Sequence, residues 1–266
     1  MAPKHDFHIH TALSACANDA MTLEAIVTGC ERVGCESIGI TDHLAPDGHE
    51  RNSSIRKEIE ALTTPVKVYL GAEVGYAWKL ETHAMTAEQK AEYGFQYAIG
   101  SHHSTYLKEY DLAKIVRVQH QYHLKTCEQS SIDILGHPWR FLYESFTRAG
   151  WPWIDTMKCV PESMTRELAR AAIETGTAIE INTTSNLCMK FQPESYFEEY
   201  VDYIAILAEE GVTFSLGSDA HELDEFETIK LAWDVVDRLG IPDERIWHPS
   251  CPPANRPRPT EEETDS

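Results

Sequence analysis

Hydrophobic and polar positions change period again and again along this chain, from two to about 3.6 and back. Short runs with a β-type pattern fall at residues 6–10, 37–43, 66–74, 97–103, 132–137, 178–182 and 212–217. Between them lie amphipathic stretches at 22–34, about 53–62, 87–93, 110–129, 162–176, 194–211 and 225–240, with apolar residues spaced for one face of a helix. Thr22 stands where an N-cap belongs, and glycines 34, 94, 176, 211 and 240 stand where helices should stop. Seven βα units in regular alternation predict a parallel sheet with helices packed outside it. No linker or internal repeat interrupts them, so residues 1–248 are expected to form a single α/β domain. The stretch 140–161 is long and aromatic and is expected to cover part of one end. Residues 249–266 are proline-rich, then acidic, and read as a disordered tail.

In DFHIH (6–10), strand alternation places His8 and His10 on one face and directs Phe7 and Ile9 toward the helices. The same kind of ending recurs. SIGITDH (37–43) closes on His43, VYLGAEV (68–74) carries Glu73, and AIGSHH (98–103) closes on His102 and His103. DILGH (133–137) closes on His137, and FSLGSDAH (214–221) supplies Asp219 and His221. Neighbouring His102 and His103 point opposite ways on a strand, so one of them is expected to be a ligand. Asp42 is placed to orient a ligand through a hydrogen bond. Glu180 and Asn182 share a face in AIEIN, where Asn182 binds substrate or makes a buried structural hydrogen bond. His5, His49, His83, His120, His123 and His248 read as surface or helix positions.

One polar residue at a strand tip says little. Imidazoles and carboxylates at the tips of most strands imply a shared site, and a closed or nearly closed barrel explains that convergence better than an open sheet. Histidine with carboxylate is the donor set of hydrolytic metal centres. Two or more divalent ions there lower the pKa of a bridging water toward neutrality and hold a substrate's oxygens against it. No Ser/His/Asp arrangement competes, and Cys16 is the one cysteine near the presumed site.

Composition narrows the partners. A formal charge of −20 over 266 residues, with no lysine or arginine cluster, weighs against a nucleic-acid duplex. A small anionic substrate stays compatible, because bound cations reverse the local potential. No apolar stretch reaches the roughly 20 residues of a membrane span. Residues 1–4 lack the basic and apolar regions of a signal peptide. The seven cysteines include no CxxC pair, which suits free thiols in a reducing cytoplasm.

The ordered pieces HIHTALS, ITDH, GAEVGY, IGSHH, DILGHP, IEINTT and LGSDAH, running from Asp6 to about Leu239, resemble the PHP (polymerase and histidinol phosphatase) superfamily. The resemblance implies a distorted (β/α)7 TIM-like barrel that uses two or three Zn, Mn or Fe ions to hydrolyse phosphoesters. It further implies that His8, His10, Glu73 and Asp219 surround one ion. Glu73 then bridges to a second ion held also by His103 and His137, and His43 and His221 serve a third. His102 is left as a neighbour with a substrate role. The chain departs from the family at LSACAND (13–19), where many three-metal members have another histidine; Asp19 or Cys16 replaces it, or only two ions bind. IEINTT resembles the histidinol-phosphatase branch, and Arg140 just after LGHP is placed to clamp a phosphate or to make a loop salt bridge.

The expected activity is therefore hydrolysis of a small phosphate ester, with histidinol phosphate the favoured substrate. A phosphodiesterase acting on cyclic or short nucleotides is the nearest rival. An amidohydrolase-type enzyme ranks lower, since no lysine ends the fourth strand, and a non-catalytic metal-binding barrel is the remaining class.

Overall fold

The computed structural model describes residues 4–44, 48–77, 79–104 and 107–255. Chain order is β1 (His5–Ile9), α1 (Leu23–Val33), β2 (Ser37–Ile40), α2 (Gly48–Ala61), β3 (Lys67–Ala77), β4 (Thr82–His83), α3 (Ala87–Tyr93) and β5 (Tyr97–Ser101). There follow α4 (Leu112–Cys127), β6 (Ile134–Leu135), α5 (Tyr143–Ala149), α6 (Glu162–Thr175), β7 (Ala178–Asn182), α7 (Glu194–Glu210), β8 (Phe214–Gly217) and α8 (Ile229–Leu239). The expected helix punctuation is present. The Thr22 hydroxyl accepts from Ala25 N at the start of α1, and Gly34 closes it at φ 97°. Thr86 and Gln89 form a reciprocal capping box on α3.

Seven strands pair in parallel in the order β1-β2-β3-β5-β6-β7-β8, with β4 folded back antiparallel on β3. Helices lie outside, giving a nearly closed α/β barrel of TIM-like type. Closure falls to β1 and β8, and it is irregular. Near the strand tips the backbones pair, with Asp219 N donating to His8 O (2.7 Å) and His10 N to Ala220 O (3.1 Å). Lower down, side chains stand in for backbone acceptors. His5 Nε2 accepts from Leu216 N (3.2 Å), and Asp6 Oδ1 accepts from Ser218 N (2.8 Å). The β1–β2 register also slips between Asp6 and Ile9.

That slip corrects one expectation. Ile9 packs toward the helices, but Phe7 does not; it joins Tyr69, Tyr97, Ile99, Ile134 and Ala178, with Trp247 alongside. Residues from five strands of a barrel meet only across its interior, so this cluster is the barrel floor. The hydroxyl of Tyr97 crosses it to donate to Phe7 O (2.7 Å). A Cβ on Gly39 would lie 1.7 Å from that hydroxyl oxygen, so the floor depends on the missing side chain. Gly39→Ala is expected to cost about 1–3 kcal/mol through overpacking, read as a lower urea midpoint at unchanged slope. An unchanged midpoint would show that Tyr97 has room to relax.

Other differences have local causes. The stretch 140–161 contains the two-turn helix α5, too short for its periodicity to show. β4 is two residues long and was not foreseen. Asn255, inside the presumed tail, is held to β3: Val68 N donates to Asn255 Oδ1 and Asn255 Nδ2 to Val66 O, each at 2.9 Å. Residues 256–266 of that stretch lie outside the described residues. Of the histidines read as surface or helix positions, His120 and His123 do lie on α4, on its buried face, while His5 and His83 are buried on strands; the side chain of His49 is outside the described residues.

Candidate metal centre

All seven barrel strands deliver a polar side chain to one point at their C-terminal ends. His8 and His10 come from β1, His43 from just beyond β2, and Glu73 from β3. His103 and His137 follow β5 and β6, Glu180 is on β7, and Asp219 and His221 follow β8. His137 and Asp219 hold positive φ (26° and 59°), a strained conformation that turns each side chain back over the strand ends.

Glu73 is the hub and is almost fully buried. Its Oε2 lies 3.3 Å from His10 Nε2 and 3.6 Å from His8 Nε2. Asp219 Oδ1 lies 3.2 Å from the first of these nitrogens and 3.4 Å from the second. Ligands about 2.0–2.1 Å from a tetrahedral ion are separated by ~3.4 Å, so these four atoms are spaced as donors around a single cation. The other oxygen, Oε1, sits 3.1 Å from both His103 Nε2 and His137 Nε2. A third set, His10, His43 and His221, also has its donor atoms within 4.8 Å of one another. The fit to an ion is visible in His8, whose Nε2 is buried, makes no hydrogen bond and points into this gap.

Outer hydrogen bonds fix which nitrogen faces inward. His8 Nδ1 donates to Glu180 Oε1 (2.7 Å), which leaves the Nε2 lone pair for an ion. The Ser14 hydroxyl donates to Asp42 Oδ1 (2.7 Å), so its oxygen accepts from His10 Nδ1 (3.2 Å) and from His43 N (3.2 Å). His221 Nδ1 donates to Asp219 O (2.7 Å), and the Ser185 hydroxyl holds Asp219 Oδ2 (2.6 Å). Asp42 thus acts on His10 through Ser14, while its other bonds pin Thr11 in the turn after β1.

Charges are strongly displaced by this crowding. Burial opposes a charge on Glu73, yet the imidazoles of His10, His103, His137 and His43 outweigh it and hold the carboxyl well below its usual range. Asp219 is likewise held low against burial, chiefly by His8. Burial pulls the His8 imidazole down, but Glu180 and Asp219 together raise it well above the ordinary histidine value. His43 reaches about 10, its own burial being overcome by Cys16 and Glu73.

Two sequence expectations, His102 and Asp19, land elsewhere, and Asn182 takes the structural one of its two readings. His102 turns away from the centre and meets the Thr126 hydroxyl (2.7 Å) among Tyr76, His83 and Tyr122. Asn182 is buried beneath the centre with both ends engaged; Oδ1 accepts from Ser185 N (2.9 Å) and Nδ2 donates to Glu180 (3.1 Å). Asp19 is exposed on the turn after β1. Arg140 stands at a cavity next to the donor sets. It lines, with His103, this cavity of about 340 Å³, walled by Leu107, Phe141, Phe146 and Trp151. Its Nε is buried without a hydrogen-bond partner.

Glu180 is the functional residue that sequence reasoning underused. Besides His8, it accepts from His137 N (2.6 Å), so one carboxylate sets two of the inward-facing imidazoles. Gly217 makes this possible, because a Cβ there would lie 2.2 Å from Glu180 Oε1. The signal was a charged residue inside an otherwise apolar strand, AIEIN. Glu180→Gln is expected to weaken metal binding roughly 10–100-fold, measured by competition with a chromophoric chelator; wild-type affinity would show that His8 is held by packing alone.

Three overlapping donor sets, two of them sharing Glu73 and two sharing His10, put this chain among the α/β barrels whose strand ends can hold metal ions. Within that class, the chain is a member of the PHP domain family, whose model matches residues 6–184. Among solved structures, a histidinol phosphate phosphatase from Lactococcus lactis subsp. lactis, crystallised with zinc, L-histidinol and phosphate, aligns with a TM-score of 0.63 at 18% identity, over 91% of this chain and 95% of that one. A putative histidinol phosphatase from Listeria monocytogenes aligns at 0.60 and 16% identity, over 84% and 97%. At these identities the likeness concerns the fold. No curated protein sequence matches the chain.

Proposed function

We propose that the protein is a metal-dependent phosphoesterase acting on a small phosphorylated molecule, with L-histidinol phosphate the first compound to test. The observation that carries this reading is Glu73, a buried carboxylate whose two oxygens serve two separate donor sets. In this reading His8, His10, Glu73 and Asp219 hold one ion, and Glu73, His103 and His137 hold a second. Divalent ions in such a pair supply Lewis acidity at phosphorus and a water acidic enough to ionise near neutral pH.

The chain's own residues do the rest. Arg140 brings a permanent cation to the rim beside His103, suited to the non-bridging oxygens of a phosphate. Its positive charge is felt at His137 and Asp219, which supports a role beside the donor sets. The cavity beyond it receives the leaving group; Leu142, Phe146 and Trp151 exclude water, and Lys108 and Gln119 offer polar contacts. Its volume of about 340 Å³ suits a small metabolite. The zinc, histidinol and phosphate in the Lactococcus structure put that amino alcohol's phosphate ester at the head of a screen.

The test is phosphate release from p-nitrophenyl phosphate, L-histidinol phosphate and a diester panel by protein loaded with Mn, Zn or Fe. Turnover that chelation abolishes and ions restore supports the proposal. Fully loaded protein that cleaves no phosphoester would leave a non-catalytic metal-binding barrel as the better description.

A further inference from the structure

The cavity beside the donor sets is charged opposite to the chain that forms it. The protein carries 43 acidic and 23 basic residues, yet Lys108 and Arg140 line this space and no aspartate or glutamate does. The segments that build it explain why. Residues 103–108 read HSTYLK and residues 138–143 read PWRFLY, two stretches without an acid. Glu109 and Glu144, which follow them, are exposed and do not line the cavity.

Neither cation is neutralised from within the protein. Among the described residues Lys108 and Arg140 form no ion pair, and Arg140 Nε is buried without a hydrogen-bond partner. Gln119, on the buried face of α4, brings an amide to the same wall and makes no side-chain hydrogen bond among the described residues. A partly buried charge is costly unless something supplies its counter-charge. Divalent ions in the adjoining donor sets would add to the positive potential. An ammonium group entering here meets like charge and finds no carboxylate to receive it, an arrangement that rejects it.

Arg140 is assigned above to the phosphate that is hydrolysed, which leaves Lys108 for another group. Resting on that metal-dependent reading, we infer that the leaving group carries an anion of its own, a carboxylate or a second phosphate, which Lys108 receives at the mouth of the cavity. Gln119 adds a neutral hydrogen bond, and Leu107, Phe146 and Trp151 pack the carbon skeleton between the two anionic ends. L-Histidinol phosphate, whose amine is protonated at neutral pH, is disfavoured by this lining. The likeness that places it first in a screen is one of fold.

Four aryl phosphates on one scaffold test this, with ethyl, carboxymethyl, phosphonomethyl or aminomethyl at the para position. A methylene insulates each substituent from the ester oxygen. Metal-loaded wild-type protein is expected to show kcat/KM for at least one of the two anionic esters about tenfold or more above the ethyl ester, the scale of one hydrogen bond to a charged group. The aminomethyl ester and L-histidinol phosphate should fall below it. Whichever anionic ester leads identifies the anion as carboxylate or phosphate. Lys108→Glu, at an exposed position, should reverse the order and bring the aminomethyl ester above the carboxymethyl ester. Ratios between esters within one sample cancel differences in folding and ion content. Equal rates across the series, or a preference for the ammonium esters, overturns the inference and leaves the phosphoesterase reading standing. An anion preference that Lys108→Glu does not change overturns the assignment to Lys108. Cleavage of none of these esters by fully loaded protein overturns both readings.

Discussion

Replacing Glu73 by glutamine is expected to lower kcat by roughly a thousandfold, the scale of losing a group aimed at transition-state charge, and to reduce the ions bound per chain. The amide keeps the shape of the side chain but offers one neutral oxygen in place of two charged ones. It cannot face Oε2 toward His8 and His10 while Oε1 faces His103 and His137. Both inner donor sets are thus impaired by one substitution, whereas changing any single histidine spares one of them. The check is kcat alongside metal analysis of the same sample. Wild-type rate in a Glu73→Gln protein with a full complement of ions would remove the bridging role.

The second large effect is on pH. Ion loading is expected to tighten about tenfold per pH unit at the His8 set and about tenfold again at the His43 set, since each must shed one proton. From about pH 6 to about pH 8 the product of the two binding constants then rises by ~10⁴. The sign follows from the shifts. In ion-free protein, Glu180 and Asp219 overcome the burial of His8 and keep it protonated, and His43 sits at about 10. Raised histidine values mean that the ion-free fold draws stability from these imidazolium–carboxylate contacts at low pH and loses it as pH climbs through the raised values. Bound ions add stability that grows with pH as affinity rises. The melting gap between loaded and chelated protein should therefore widen from acid to base. Asp6, pushed up to about 7 by burial, acts in both forms and cancels from the gap. A gap that does not widen with rising pH would mean that the ion-free imidazoles are already neutral.

Much of this molecule can be read in its residues, and for a physical reason. In a parallel barrel every strand points the same way, so functional residues gather at one end of each apolar run. That end is visible wherever a run such as SIGI or VYLG stops at a histidine or a carboxylate. Each predicted strand and helix has its counterpart in the fold, although only two residues of the 132–137 run, Ile134–Leu135, pair as a strand. Less legible were features set by three-dimensional proximity. Phe7 enters the barrel floor because of a register slip in β1, which alternation alone does not reveal. His102 neighbours His103, yet it turns to Thr126 on α4 and lies among buried aromatic rings. Asn182 shares a face with Glu180, which leaves a substrate contact and a structural hydrogen bond equally open; the fold uses that adjacency to brace the glutamate. Glu180 itself has no neighbour in sequence that betrays its contact with His8.

The irregular joint between β1 and β8 bears on how the whole chain is fastened. Those strands lie near opposite ends of the polypeptide, and for part of their length only His5 and Asp6 side chains bridge them. Just above, His8 and His10 on one edge face Asp219 on the other across a gap sized for a cation. An ion bound there works as a clasp, joining the first strand to the last where the backbone ladder is thinnest. Stripping metal should accordingly loosen this joint before the rest of the barrel, with amide hydrogens of Leu216 and Ser218 exchanging sooner than those of β3 or β5.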